Sequence, residues 1–281
     1  MKNILLPTDF SDNSWNAIKY AIQLFKDETC TFHLLNTYTP IIYNVEYVLG
    51  YPAQFGLGDA IRDAAINNLN ELKSRISITF KENPKHKFNT VPRFNTLVSG
   101  LKEFLIENKT DLIVMGTKGA TGAQEVLFGS NTVHVFNEIK CPVLAIPANF
   151  KYEKPIEILF PTDLDVDYSN FKIDILKQIA IEHNSRINAL HVSTGNDLTF
   201  KQINSQLKLE SFFKGISYLF HNYLQMNVTD AINKFQMKEK INLLAMVNNK
   251  HSFFENLFFR STLNKIGFHL NVPFLVIPAI N

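Results

Sequence analysis

Residues 111–132 contain the stretch that decides the fold: Asp-Leu-Ile-Val-Met-Gly-Thr-Lys-Gly-Ala-Thr-Gly-Ala-Gln-Glu-Val-Leu-Phe-Gly-Ser-Asn-Thr. The apolar run at 112–115 predicts one short, buried parallel strand. The run ends at Gly116, and Gly119 and Gly129 follow it. Residues 131–139 then predict a helix with apolar side chains on one face and with Ser130 at its N-cap.

The same stretch indicates a site for an anion. Gly116 and Gly119 let the backbone come close to a ligand and allow positive φ angles. Gly129 and Ser130 place free backbone N–H groups at a helix N-terminus, where phosphate groups commonly bind. Neighbouring hydroxyls and the ammonium group of Lys118 could add further bonds. Two loops that need glycine only for turns are the alternative, and the combined spacing favours the phosphate site.

The composition is that of an ordinary globular protein. The 281 residues are 46% hydrophobic and 19% charged with a net charge of +2, which allows one large or two ordinary domains. No run of Lys or Arg is present, so nucleic acid is disfavoured as a partner. Cys30 and Cys141 form no Cys-x2-Cys pair, and a reducing cytoplasm is the expected location. No apolar run suits a secretory signal or the roughly 18 residues of a membrane span.

Strand and helix patterns alternate along the first half. Short connections between them predict a parallel sheet with right-handed crossovers. Residues 38–57 predict an irregular loop. The predicted strands are 3–6, 31–36, 88–98, 112–115 and 143–146, and the predicted helices are 15–25, 59–78, 100–108 and 131–139.

The pattern starts again after a linker at 148–154. Pro161-Thr162-Asp163 repeats Pro7-Thr8-Asp9, and residues 111–147 align without gaps with 242–278. In the second half a strand at 156–160, a helix at 171–183 and a strand at 187–192 are predicted. Such an internal repeat predicts two copies of one α/β domain, at 1–148 and 155–281.

The second copy lacks the glycines of the first. Their positions are occupied by Val247, Lys250 and Arg260. Side chains there would fill the path that a phosphate needs to approach the backbone. The second copy is therefore predicted to keep the fold without the site.

Three features of the chain resemble the universal stress protein family. They are Pro7-Thr8-Asp9 at the end of the first strand, the Gly-x2-Gly-x9-Gly-Ser signature, and the closing Pro-Val-Leu-Ala-Ile-Pro strand at 142–147. The resemblance covers nearly the whole chain as a tandem pair, specific in the first half and degraded in the second. It implies two open five-stranded parallel-sheet domains, Rossmann-like and similar to adenine nucleotide alpha hydrolases. It also implies ATP, with or without Mg²⁺, bound in the first domain, and a regulatory role in stress response without enzymatic turnover.

The resemblance also implies which residues contact the nucleotide. The base and sugar would be contacted by Pro7, Thr8, Asp9, Thr37, Met115 and Gly116. The phosphates would be held by Gly119, Gly129, Ser130, Asn131 and Thr132, beside Lys118. Asn36 stands where many relatives have a histidine, which the second half keeps as His191. We expect little effect of that difference on binding.

Other sites fit the sequence less well. Asp163, Asp165, Asp167 and Asp174 resemble the acidic spacing of a calcium loop, but Tyr168 stands where that loop requires glycine. Helix capping and solvation explain these carboxylates better. No Gly-Lys-Ser/Thr P-loop is present, so fast nucleotide hydrolysis is not expected.

Three further functions stay open at this point. An enzyme of the adenylate-forming or phosphate-transfer type should show a second pocket with convergent titratable groups. The chain could also be an interaction module without nucleotide, or it could bind another anion, such as a different nucleotide.

Each copy ends in a short strand that is bracketed by prolines. As the last strand of its sheet, each should lie at an edge with unpaired backbone groups. Two equivalent edges can satisfy each other by antiparallel pairing. We therefore predict that 143–146 pairs with 274–277 and makes a pseudo-dimer within one chain, with further oligomerisation left open.

Overall fold

The computed structural model describes residues 1–39, 57–117, 129–193, 198–248 and 271–279. Strands and helices alternate through its first half, as the apolar patterns predict. The elements are β1 Lys2–Pro7, α1 Asp12–Leu24, β2 Cys30–Tyr38, α2 Leu57–Thr79, β3 His86–Phe94, α3 Leu97–Glu107, β4 Leu112–Gly116, α4 Ser130–Glu138 and β5 Val143–Ile146.

The second half follows the same alternation. Its elements are β6 Glu157–Thr162, α5 Asp174–His183, β7 Arg186–Ser193, α6 Phe200–Phe212, β8 Ser217–Leu224, α7 Val228–Lys238, β9 Leu243–Asn248 and β10 Phe274–Pro278. A short 3-10 helix, Tyr168–Asn170, precedes α5. Residues 249–270, which contain the counterpart of the glycine-rich stretch, lie outside the described residues.

The ten strands that the structure describes form one sheet in the order β3-β2-β1-β4-β5-β10-β9-β6-β7-β8. Within each half neighbouring strands are parallel, which confirms the predicted α/β class. The halves meet where β5 and β10 pair antiparallel, with Leu275 opposite Leu144. The predicted pairing of 143–146 with 274–277 is therefore confirmed.

The apolar core runs through both halves without interruption. One buried cluster lies on each face of the sheet, and each contains side chains from both halves. Leu144 and Leu275 belong to one cluster, while Val143, Phe274 and Val276 belong to the other. The junction is thus packed as a domain interior, where full burial of a Leu or Phe side chain contributes about 1.5–3 kcal/mol.

Element boundaries differ from the predicted ones where polar side chains bond to the backbone. Helix α1 begins at Asp12, because the Ser11 side chain accepts a bond from Ser14 N and acts as N-cap. Strand β3 ends at Phe94, so residues 97–98, which we expected in the strand, form the first turn of α3. Helix α5 is shorter than 171–183, because Asp167 caps the separate 3-10 helix.

Two other expectations concern connecting segments. Most of the irregular loop expected at 38–57 falls on 40–56, outside the described residues. The linker at 148–154 is fixed to both halves. Asn16 Nδ2 donates to Pro147 O at 3.2 Å and to Phe150 O at 3.0 Å, and Asn242 Nδ2 donates to Glu153 Oε2 at 2.9 Å. No helix that the structure describes is long and apolar enough to cross a membrane.

An ion cluster also joins the two halves. Lys2 Nζ on β1 lies 2.5 Å from Glu28 Oε2 and 2.6 Å from Glu182 Oε1 on α5. Burial raises the pKa of Glu182 to about 7, and Glu28 adds to the rise while Lys2 opposes it. A carboxyl group whose pKa is higher in the folded state stabilises the fold below its unfolded pKa, and that stabilisation is lost as the pH rises through the folded pKa.

We expect Glu182→Gln to melt higher than the native protein at pH 8 and at nearly the same temperature at pH 5. The amide is neutral like the protonated carboxyl, so it avoids the charge that burial disfavours at high pH. A difference of about 2–4 °C that grows between pH 5 and pH 8 is expected in thermal unfolding. Glu82→Gln, at an exposed position, is the control. An equal shift of the Glu182 variant at both pH values would contradict the prediction.

Candidate functional site

A cavity of about 370 Å³ opens at the carboxyl ends of β1 and β4. Open α/β sheets bind ligands at this edge, where loops and helix N-termini converge. The lining residues are Pro7, Thr8, Asp9, Ser14, Asn36, Thr37, Thr39, Asn95, Thr96, Leu97, Met115, Gly116, Asn131 and Thr132. Eight of these fourteen residues belong to the twelve that the sequence predicts for a nucleotide site.

The turn after β1 is held by the side chain of Thr8. Its Oγ1 lies 3.0 Å from Ser14 Oγ and accepts a bond from Phe10 N at 3.0 Å. The bond supports an uncommon backbone, because Phe10 has a φ of 63°. Asp9 Oδ1 accepts bonds from the N–H and hydroxyl groups of Ser11 at 3.1 Å and 2.6 Å. The turn therefore fixes Asp9 at the mouth of the cavity.

Asn36 in the first half and His191 in the second half make the same side-chain bond to the backbone. Its Nδ2 donates to Thr8 O at 2.8 Å, and Nδ1 of His191 lies 3.0 Å from Thr162 O. Both side chains are buried at the end of the second strand of their half. An amide N–H replaces an imidazole N–H on the same backbone carbonyl, so the substitution keeps the turn in place.

Gly116 is required by a neighbouring side chain. A Cβ atom at this position would lie 2.4 Å from Nδ2 and 2.6 Å from Cγ of Asn13. Asn13 is buried in the first turn of α1. Gly116 allows a positive φ but does not adopt one, since Gly215 is the glycine with positive φ in the part of the chain that the structure describes. Any larger residue at position 116 of β4 would therefore displace the Asn13 side chain of α1.

The N-terminus of α4 is tied to the end of β4. Gly129 N donates to Thr117 O at 2.7 Å, and Thr132 Oγ1 donates to Gly116 O and Thr117 O, both at 3.2 Å. Gly129 is the N-cap of α4, with φ −61° and ψ 153°, so the prediction of Ser130 at the N-cap is wrong by one residue. Gly129 caps α4 without a side-chain hydrogen bond, and Ser130 is the first residue of the helix.

The predicted site residues divide into three groups. Pro7, Thr8, Asp9, Thr37, Met115, Gly116, Asn131 and Thr132 line the cavity. Gly129 and Ser130 stand at the start of α4 without belonging to the lining set. Lys118 and Gly119 lie in 118–128, outside the described residues.

Six lining residues were not among the predicted contacts: Ser14, Asn36, Thr39, Asn95, Thr96 and Leu97. Asn95–Leu97 follow β3, and Thr96 is the N-cap of α3. Their position could have been predicted, because the end of every parallel strand lies at the same edge of the sheet as the cavity. We missed this turn because the predicted strand 88–98 included its residues.

The equivalent region of the second half is filled with side chains. Tyr168 replaces Ser14, is buried, and bonds to the Thr162 hydroxyl. Val247, at the position of Gly116, belongs with Tyr168 to one buried apolar cluster. Burial raises the pKa of Asp163, the counterpart of Asp9. Lys250 and Arg260 lie outside the described residues.

The acidic residues that follow β6 bond to the local backbone. Asp163 Oδ1 accepts from Asp165 N at 3.1 Å, and Asp167 Oδ1 accepts from Ser169 N at 3.2 Å and from Ser169 Oγ at 2.9 Å. Asp167 caps the 3-10 helix. Among residues that the structure describes, no three His, Cys, Asp or Glu side chains converge as metal ligands.

Known proteins resemble this chain in sequence and in fold. A profile described as the universal stress protein family matches residues 1–147. A universal stress protein of Methanocaldococcus jannaschii is 30% identical over 148 residues, which is 52% of this chain and 81% of that protein. The crystal structure of a universal stress protein from Archaeoglobus fulgidus superposes with a TM-score of 0.69 at 17% identity, covering 99% of this chain and 98% of its own. A functionally unknown protein from Pseudomonas aeruginosa superposes with a TM-score of 0.59 at 12% identity, covering 100% and 93%.

Proposed function

The chain belongs to the universal stress protein family, and we propose that its first half binds one adenine nucleotide, ATP, as a regulatory signal. The observation that carries the proposal is the cavity at the ends of β1 and β4. It gathers eight of the residues that the sequence predicts for the nucleotide. Its volume of about 370 Å³ lies within the range of small-molecule sites.

The strand order supports one orientation of the ligand in this proposal. Thr37 lies near the end of β2 and Leu97 follows β3, on one side of β1, while Gly116 and Asn131 lie on the side of β4. The base would lie toward β2 and β3, with the sugar near Asp9. The phosphates would lie toward α4, whose N-terminal N–H groups and dipole favour negative charge.

Individual side chains have distinct tasks in this site. Thr132 uses its hydroxyl proton on two backbone carbonyls, so it would orient α4 and would not donate to phosphate. Asn131 is exposed in the first turn of α4 and would donate from its amide. Asp9 is the one carboxylate among the described lining residues and would accept bonds from the ribose hydroxyls.

The proposal gives the two halves different roles. Residues 1–148 would form the nucleotide-binding domain, and residues 155–281 would form a domain without nucleotide. Val247 and Tyr168 support this division, because they are buried among apolar side chains where the first half has Gly116 and Ser14. The second domain would serve as a fixed structural partner of the first.

Titration calorimetry of the native chain with ATP is expected to give one site per chain. A single site follows from the filled second half, and adenine selectivity should make GTP bind at least about tenfold more weakly, a difference of about 1.4 kcal/mol. Two sites per chain would contradict the proposed division of roles. Absence of binding by ATP, ADP and AMP would contradict the proposal itself.

Gly129→Val serves as the matched variant for this titration. Its backbone angles, φ −61° and ψ 153°, are open to valine, so the fold should be retained. The branched side chain would stand at the proposed phosphate seat, and a loss of at least about tenfold in ATP affinity is expected, with melting temperature little changed. Unchanged affinity would place the phosphates elsewhere.

A further inference from the structure

The two ends of the ten-stranded sheet are β3 and β8. In the part of the chain that the structure describes, β8 pairs with β7 alone. A terminal strand presents a row of backbone N–H and C=O groups that a second strand can pair with. The residues of each terminal strand therefore decide whether another strand can pair with it.

The direction of the free backbone groups on β8 follows from one bond. Gln225 N donates to Ser193 O of β7 at 2.9 Å. Because backbone groups alternate in direction along a strand, odd-numbered residues of β8 face β7. The even-numbered residues Tyr218, Phe220, Asn222 and Leu224 therefore direct their N–H and C=O groups outward.

The side chains of β8 do nothing to block pairing. Residues 217–224 read Ser-Tyr-Leu-Phe-His-Asn-Tyr-Leu, without proline and without Asp, Glu, Lys or Arg. Leu219 is 45% exposed and Leu224 is 58% exposed. Protected edges carry charged residues, especially Lys, or proline, or are very short. The β8 strand has none of these protections.

The opposite end of the sheet, β3, has charged residues and a proline that protect its edge. Asn95 N donates to Tyr38 O at 3.1 Å, so the even-numbered residues of β3 face outward by the same alternation. Pro92 is one of these and has no N–H to donate. Antiparallel self-pairing of β3 about its centre would set Lys87 opposite Arg93, two basic side chains that disfavour the contact.

We propose that β8 is the docking surface for a second copy of this chain, joined by antiparallel pairing of the two β8 strands about a two-fold axis. Outward-facing residues must lie opposite outward-facing ones, so the axis passes through Phe220 or His221. Residues 217–223 or 218–224 of each copy then pair. The first register sets Phe220 opposite its own copy, and the second sets Tyr218 opposite Leu224 and Leu219 opposite Tyr223, so each brings apolar side chains together. No Lys, Arg, Asp or Glu from one strand faces the other.

A second copy is the occupant that the molecule itself favours. The strand is its own complement, because a two-fold axis brings the same uncharged residues and the same free donors and acceptors together. The chain already joins two strands in this way at β5 and β10. The pairing of two β8 strands would repeat that contact between molecules and continue the sheet.

Sedimentation velocity of the full chain is expected to show a concentration-dependent dimer at protein concentrations below about 100 µM, a range that corresponds to modest protein affinities. Asn222→Lys places a charge at an exposed, outward-facing position of the edge and keeps the bonds to β7. It should weaken the dimer at least about tenfold. Thr90→Lys, an outward-facing residue of β3, is the matched control and should leave the dimer intact.

Hydrogen exchange followed by NMR supplies a readout that is specific to β8. The amides of Tyr218 and Phe220 should exchange more slowly at high than at low protein concentration in the native chain. In Asn222→Lys the exchange rates should not depend on concentration. A monomer throughout this range would overturn the proposal. So would a dimer that Asn222→Lys leaves unchanged, or one that Thr90→Lys dissociates.

Discussion

Gly116→Val is expected to lower the affinity for ATP by at least about 100-fold, or roughly 2.7 kcal/mol. Its Cβ would lie 2.4 Å from Asn13 Nδ2, so the buried Asn13 side chain must move. Gly116 lines the same cavity as Thr8 and Asp9, so the new methyl groups would also reduce the volume of that cavity. Overpacking of this kind costs about 1–3 kcal/mol of folding stability. Calorimetry gives the affinity, and denaturant unfolding gives the stability.

Val247→Gly is the control for that experiment. It makes the converse change at the equivalent position of the second half, where the valine is buried. It should lower stability by about 2–4 kcal/mol through the lost apolar contacts and the added backbone freedom, while ATP affinity stays within about twofold. Equal loss of affinity in both variants would mean that binding follows overall stability, and the site assignment would then fail.

Leu144→Ala and Leu275→Ala are each expected to lower the free energy of unfolding by about 2–5 kcal/mol. The two side chains are fully buried and face each other in the register that joins β5 to β10. Because each loses part of its packing when the other is truncated, the double variant should lose less than the sum. Denaturant unfolding of all four proteins gives the coupling, expected at about 0.5–3 kcal/mol.

Leu207→Ala provides the comparison for the cycle. Leu207 is 58% exposed on α6, so its truncation should change stability by no more than about 0.5 kcal/mol. Additive losses at positions 144 and 275 would show that the two edges are not packed against each other in solution. The antiparallel junction would then not hold the halves together.

The sheet and its junction could be predicted from sequence because their signals are local and repeated. Apolar runs such as 112–115 and 143–146 have the length of buried strands. The same runs recur at 243–246 and 274–277, so the repeat indicates the same strand order in both halves. Prolines at both ends of the last strand of each half mark its limits. The same glycines and Pro-Thr-Asp turns predict where a cavity forms.

The parts that could not be predicted depend on contacts between distant residues. Nothing local in the sequence shows that Asn13 fills the space beside Gly116, since the two residues meet only when α1 docks against β4. The end of β3 was misplaced because Leu97 and Val98 suit a strand as well as a helix. Tertiary packing, which decides such ambiguous apolar pairs, is absent from a local pattern.

The antiparallel junction of β5 with β10 has a consequence for how the protein responds to dilution. Partners that share one chain meet at an effective concentration in the millimolar range or above, whatever the cellular abundance of the protein. The two halves therefore stay paired when expression falls, whereas two separate chains would dissociate once their concentration dropped below the dissociation constant. Occupancy of the cavity would follow the level of free ligand alone, and a single chain would be sufficient as the responding unit.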